Sequence, residues 1–448
     1  MGNILSRHRT WAQTALWLLL AVLWFAAPAS AENPAAPGKG LTLRRAIVMS
    51  LEYSPNLKQS LAELEKAQFQ KKEAFTYFLP SFNTGYVWNK TQEPPAFRSG
   101  GQRVIVGSSD VYQWTTSFTQ PLFTGMRLTS QYKLADLGVD LAQVNIMLAT
   151  LDVVIRVKEA YFLYLRAIKG VGVAESYVKR LESQLRVSTD FHKEGIIPIN
   201  DLLKVKVELA NAVQDRVRAY NDRALSMSRL NRLLGLPVER RLEVADKLGH
   251  HPIEVDFVQA REEARRNRPE LKSLGLQLEQ ADQAIRTVQS NYFPQVNLQG
   301  SYFFTSDSPE MGPSTFYDTT DWAIIARVDW SFWEWGRTRY QTSQVKAGKR
   351  RLEAARQDLQ DQVDLQVREA VLFLREAQLN IATATTQVIQ AKENYRITFD
   401  RYRNQLTTNT ELLDAQFLLT QANTNYYNVL TIFNVAEASL QRAMGQGL

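Results

Sequence analysis

Hydrophobic and polar positions follow two periods along this chain. In four short stretches they alternate. Phe82, Thr84, Tyr86 and Trp88 interleave with Asn83, Gly85, Val87 and Asn89, and Tyr112, Trp114, Thr116 and Phe118 interleave with Gln113, Thr115, Ser117 and Thr119. Val296, Leu298, Gly300 and Tyr302, then Trp322, Ile324, Ala326, Val328 and Trp330, do the same. A period of two predicts strands with one apolar, aromatic-rich face and one polar face. They pair into hairpins at about 81–120 and 295–332, with the Pro-, Gly-, Ser- and Asp-rich stretches 93–110 and 306–321 as long exposed loops.

Elsewhere the period is a heptad. Ala370, Leu374, Ala377, Ile381, Ala384, Val388, Ala391 and Tyr395 step by four and three, as do Ala160, Tyr164, Ala167, Val171, Ala174, Val178, Leu181 and Leu185. Small residues in such a seam let a partner helix approach along its whole length. No proline interrupts Arg127 to about Phe191 or Arg337 to about Arg401. Each stretch therefore predicts a helix of roughly 65 residues, near ~100 Å at ~1.5 Å per residue. Polar turns follow, Glu194 to Asn200 and Asn404 to Thr410, and then return helices of about half that length, Asp201 to Leu234 and Glu411 to Met444. Gly195 suits a left-handed helix end and Asn200 an N-cap. Thr42 and Asp256 suit N-caps of short opening helices, while Pro55 and Pro269 fit first turns.

The two halves repeat. Ser54-Pro55-Asn56-Leu57 recurs as Arg268-Pro269-Glu270-Leu271, 214 positions on, and the offset then settles at 210. Pro121 to Arg127 pairs with Ser331 to Arg337, Val157-Lys158-Glu159-Ala160 with Val367-Arg368-Glu369-Ala370, and Leu230 to Gly235 with Leu440 to Gly445. Repeats are expected at 32–236 and 256–448, joined by a linker at 237–255.

Composition places this unit in an envelope. Arg7 and Arg9, the apolar run Trp11 to Ala27 and Ala29-Ser30-Ala31 form an expected signal peptide, 1–31. Its removal leaves 51 basic and 46 acidic residues, interspersed as on solvated helices, which argues against nucleic acid. There are no cysteines, so disulfides, thiolate metal sites and an N-terminal lipid on cysteine are excluded. His192, His250 and His251 lack metal-ligand spacing, Gly170-Val171-Gly172 lies inside a helix, and no nucleophile–base pattern points to an enzyme or cofactor. Beyond the signal there is no run of 18 apolar residues, so a membrane span is expected to be β. Four strands cannot close a barrel, and an open edge in lipid leaves backbone groups unsatisfied. Three copies would give twelve strands above a wall of long helices.

With these features in order, the chain resembles the outer membrane efflux protein family (TolC-like). The resemblance rests on the signal, the tandem repeat, the hairpins, the Pro121-Leu122-Phe123-Thr124-Gly125-Met126-Arg127 turn and the Gly195-Ile196 tip. It implies a homotrimer: a 12-stranded β-barrel in the outer membrane lipid continued by a long α-helical barrel across the periplasm. It also implies a passive exit duct for efflux or type I secretion, with a periplasmic adaptor and an inner-membrane transporter as partners. The family's acidic entrance ring maps onto Glu411 and Asp414, which share a helix face at i and i+3. Its gate maps onto Asn200, Asp201 and Tyr402, with Thr407 where the family has a basic residue. Its adaptor-contacting tips map onto Gly195, Ile196 and Ile197, and onto Gln405 and Leu406. The alternatives are a periplasmic adaptor, which would have one helical hairpin between β-domains, or a structural coiled coil without aromatic strands.

Overall fold

The computed structural model describes residues 40–446, so the expected signal peptide lies outside the described residues. The described chain forms a small body, residues 40–42 with 242–246, and a large one, residues 43–241 with 247–446. In the small body Leu41 and Val244 form a parallel bridge, with the Leu41 N–H donating to the Glu243 carbonyl at 2.6 Å.

The large body is mostly helical. Its first half runs α1 (Leu43–Tyr53), α2 (Pro55–Thr76), β1 (Ser81–Lys90), β2 (Ala96–Ser99), β3 (Gln102–Ile105), β4 (Asp110–Phe123), α3 (Arg127–Lys193) and α4 (Ile199–Leu234). Its second half runs α5 (Phe257–Asn267), α6 (Pro269–Gln289), a single 3-10 turn (Ser290–Tyr292), β5 (Gln295–Ser306), β6 (Thr320–Asp329), α7 (Arg337–Arg403) and α8 (Asn409–Ala443). Local chemistry explains the helix starts. Ser54 accepts from the Leu57 N–H at 3.3 Å and Asp256 from the Gln259 N–H at 3.1 Å, while Pro55 and Pro269 occupy first-turn positions where a missing N–H costs nothing.

The sheet order is β1-β4-β5-β6, antiparallel throughout. Register brings the alternating faces together: Phe82 pairs with Phe118, Phe118 with Gly300, and Gly300 with Ile324. A side chain at 300 would collide with the Phe118 ring, which lies 2.2 Å from where a Cβ would stand, so the aromatic covers the glycine. On the same face Trp114 Nε1 donates to Thr84 Oγ1 at 2.6 Å. The stretch 93–110, expected to be loop, holds the small hairpin β2-β3. Its turn is Gly100-Gly101, both at positive φ, the pair a tight two-residue turn requires.

The helices follow the strands. α2 packs on α3, α3 on α6, and α6 on α7; toward the far ends, α4 packs on α3, α3 on α8, and α8 on α7. α3 is therefore flanked on both sides, and α7 on one. The seam of α7 is buried at Leu374, Ala377, Ile381 and Ala384, against Leu430, Phe433 and Leu440 of α8. α3 buries far more, including Val157, Tyr161, Val171, Val178 and Leu181. α3 contains a stretch long and apolar enough, by length and composition, to cross a membrane, although Asp140 and Asp152 keep it from being an unbroken apolar run. A helix with neighbours on both flanks needs an apolar circumference wider than one seam.

Candidate functional site: the helical tip

Where α3 turns into α4, the Gly195 N–H donates to the His192 carbonyl at 3.0 Å and the Ile196 N–H to the Phe191 carbonyl at 2.8 Å. Gly195 has φ 71, a left-handed geometry that glycine adopts without strain. His192 Nδ1 hydrogen-bonds to the Ile197 carbonyl at 3.2 Å. The α7–α8 turn repeats this design with the Gln405 N–H on the Tyr402 carbonyl at 3.0 Å and the Leu406 N–H on the Arg401 carbonyl at 2.8 Å. Gln405 sits at φ 59, so a residue with a Cβ holds the left-handed position that glycine holds in the first tip. Ile196 and Leu406 are both exposed apolar residues at these ends.

Asn200 does not cap α4. The helix begins at Ile199, Pro198 occupies the cap position without a side-chain bond, and Asn200 lies exposed in the first turn. The fixed φ of proline sets the helix start two residues earlier than an asparagine cap would. In the second tip Thr408 is the cap and accepts from the Glu411 N–H at 3.3 Å. Thr407 Oγ1 bonds to the Glu411 carboxylate, so the residue at the family's basic position tethers the acid in its own turn. Glu411 and Asp414 both lie on the exposed arc of α8, while Leu412, Ala415 and Gln416 face inward. Asp201 is bound by Lys204 at 3.2 Å on the next turn.

Between the two tips runs a polar chain invisible to the heptad pattern. Ser188 Oγ and the Tyr402 hydroxyl are 2.8 Å apart, and the Phe191 and Tyr402 rings lie 5.6 Å apart. Gln184 Nε2 donates to Asn409 Oδ1 at 2.6 Å, Asn409 Nδ2 donates to the Asp201 carbonyl at 3.0 Å, and Gln416 Nε2 donates to Gln184 Oε1 at 2.7 Å. Arg180 donates to Thr420 Oγ1 at 2.7 Å and lies between the rings of Tyr177 and Tyr395, whose centroids are 5.6 and 5.7 Å away. Tyr177 in turn donates to Glu208 at 2.6 Å, so four helices meet here.

Burial pushes the Tyr402 hydroxyl above the usual phenol range, with the Asp201 charge adding to it, and burial pulls the Arg180 guanidinium below its usual value. Of the gate candidates, Tyr402 bonds to Ser188 and the Asp201 carbonyl to Asn409, two neighbouring sets of this polar seam, while Asn200 lies outside both. Sequence reading missed Gln184, Ser188, Asn409 and Gln416, because polar residues were assigned to the solvated face. The available signal was that Tyr177, Leu181, Gln184 and Ser188 step by four, three and four, a second stripe that meets the seam at Leu181.

Among the described residues, no group of three or more His, Cys, Asp or Glu side chains could hold a metal ion. The arrangement presents two matched turns and links the helices that bear them by a buried polar seam.

The sequence profile of the outer membrane efflux protein family matches residues 46–236 and again 260–446. The chain is 20% identical over 409 residues to outer membrane protein OprJ of Pseudomonas aeruginosa, covering 90% of this chain and 84% of that one. Among solved structures it is similar to the Campylobacter jejuni CmeC outer membrane channel, with TM-score 0.79 and 14% identity over 94% of this chain and 91% of that one. The outer membrane protein VceC of Vibrio cholerae matches with TM-score 0.77 and 17% identity over 90% and 96% of the two chains. The family profile covers most of the chain, in two passes that correspond to its two halves, and the chain belongs to the outer membrane efflux protein family.

Proposed function

We propose that this protein is the outer-membrane duct of a tripartite efflux or type I secretion system, and that three copies close the duct. The observation that carries this reading is the wall-like order of the large body. β1-β4-β5-β6 and α2-α3-α6-α7 run in the same sequence, so each chain has one open edge at β1, α2 and α4 and another at β6 and α7. A sheet edge exposed to lipid leaves N–H and C=O groups without partners, and only closure satisfies them. Three four-stranded sheets give twelve strands, an even number in the range of membrane barrels. Exposed aromatics support a lipid-facing surface: Phe82, Trp88, Trp322 and Trp330 occupy the strands and their ends.

In this reading the tips face the periplasmic partners. Gly195, Ile196 and Ile197, with Gln405 and Leu406, form the surface offered to an adaptor. Glu411 and Asp414 line the narrow entrance, where three copies bring six carboxylates together and favour cations. Ser188, Tyr402, Gln184, Asn409 and Asp201 hold the entrance closed. A buried polar seam suits that role, since its hydrogen bonds can be exchanged for bonds to water when the helices part. Single-channel conductance in a planar bilayer tests the assignment. A trivalent cation on the tip side should block the wild-type channel, and Glu411→Ala with Asp414→Ala should lose the block; unchanged block in the double variant would place the acidic ring elsewhere.

A further inference from the structure

A groove runs along α3 between α4 and α8, and its charge is one-sided. One stretch, of about 380 Å³, is lined by Arg156, Arg229 and Arg232 with Glu159. The next, of about 390 Å³, shares Ser226 and Arg229 with it and adds Arg166 and Asp222. Gly170 helps to keep the second stretch open, since a Cβ there would meet nothing within 4 Å. Among the described residues none of the four guanidinium groups makes an ion pair or a side-chain hydrogen bond. The two acids do little to neutralise them: burial holds the Glu159 carboxyl above its usual range, and Asp222 stands exposed.

The repeat shows that helix packing does not require these arginines. Displaced by 210 positions, Arg156, Arg166 and Arg229 correspond to Gln366, Glu376 and Ser439. Arg232 alone has an arginine counterpart, Arg442, and that one is bound by Asp152 at 3.0 Å and by Glu270 at 2.9 Å. The equivalent helices α7 and α8 thus assemble with one paired cation where α3 and α4 carry four bare ones.

The groove also has a side. Arg229 lies 28 residues, four heptads, after Asp201, and Asn428, which lines the second stretch, lies 14 residues, two heptads, after Asp414. Groove and tip carboxylates therefore share one face of α4 and of α8. The linker takes the other face. Asn231, two residues and about 200° beyond Arg229, donates to the Val238 and Arg240 carbonyls at 3.1 and 2.7 Å. Phe433, five residues and about 140° beyond Asn428, carries the rings of His250 and His251.

Resting on the reading that the face bearing the tip carboxylates lines a duct, we infer that the groove binds organic anions, molecules with a carboxylate or phosphate on an apolar body, within the duct beyond its acidic entrance. The planar guanidinium fork matches the paired oxygens of either group. Leu163, Leu225 and Tyr427 supply apolar surface for the body.

Carboxyfluorescein, a soluble aromatic polyanion, serves as the probe for the full chain in a neutral detergent. Its fluorescence anisotropy is expected to show saturable binding that weakens about tenfold in Arg166→Gln with Arg229→Gln, through the loss of charge-assisted bonds. Arg350→Gln with Arg351→Gln removes the same charge from exposed positions on α7 and should leave the affinity unchanged. Equal affinity for wild type and the groove variant, or an equal loss in both variants, overturns the site. Phenyl phosphate should displace the dye at a lower concentration than inorganic phosphate; equal displacement would mean a site for bare ions and overturn the organic assignment. In planar bilayers the dye should interrupt the wild-type current, with interruptions about tenfold shorter in the groove variant. Binding without interruption puts the groove outside the duct and overturns the inference. A chain that passes no current at all would instead remove the duct reading, and the anisotropy would still decide whether the groove binds anions.

Discussion

α3 and α7 have the same length, 67 residues each, and the same alanine-rich heptad seam, yet they live in different surroundings. α3 is buried on two flanks; α7 is buried on one and exposes Leu372, Leu379, Ile389 and Ile397. Equal sequence design with unequal burial leaves α7 an exposed apolar flank, which the proposed ring would cover. An isolated copy is complete where its halves touch and unfinished at its edges. Changes inside α3 should therefore cost stability in any state of the protein, whereas changes on α7 and α4 should register only where copies meet.

Leu181→Ala sharpens this contrast most. Leu181 is fully buried in the α3 seam, so the substitution is expected to lower stability by about 2–5 kcal/mol. Leu379→Ala, made on an exposed position, should stay within ~0.5 kcal/mol for a dissociated chain. Thermal unfolding followed by circular dichroism under dissociating detergent conditions checks both, and equal losses would erase the distinction between the helices. Gln184→Ala comes next. It leaves Asn409 Oδ1 and Gln416 Nε2 without a partner in a buried seam, a loss of about 1–3 kcal/mol, and it should raise the open probability of the channel in bilayer recordings.

At the second tip, Gln405→Gly should raise the melting temperature slightly, worth about 0.5–1 kcal/mol, by removing the left-handed strain that Gly195 avoids.

The smallest effect concerns Glu159, which lines a cleft between α3 and α4 with Arg156, Arg229 and Arg232. Burial raises its carboxyl above the usual range, against the opposing pull of Arg156. The fold thus favours the protonated form, and the group's contribution to stability falls as pH rises through the carboxylate range. Glu159→Gln should raise the melting temperature above that range and leave it unchanged below; the opposite order would mean that the arginines outweigh burial.

What could be read in the sequence followed from contrast between neighbouring positions. Phe82 beside Asn83 and Trp114 beside Thr115 mark faces, because a strand turns successive residues to opposite sides. The heptads announced long helices because nothing in them breaks the period. The closing chain of Ser188, Tyr402, Gln184, Asn409 and Gln416 was hidden for the converse reason. These residues look like surface by type, and their burial depends on long-range contacts between α3, α7 and α8. Asn200 misled in the same way, as a good capping residue displaced by Pro198, whose backbone geometry fixed the helix start first. Thr407, a departure from the family's basic residue, acquired a meaning only when its hydroxyl was placed on the Glu411 carboxylate.

If one chain is a third of a closed wall, light scattering with detergent subtraction on the purified mature protein gives a particle of three copies; a stable, dispersed single copy would mean that the chain closes no ring.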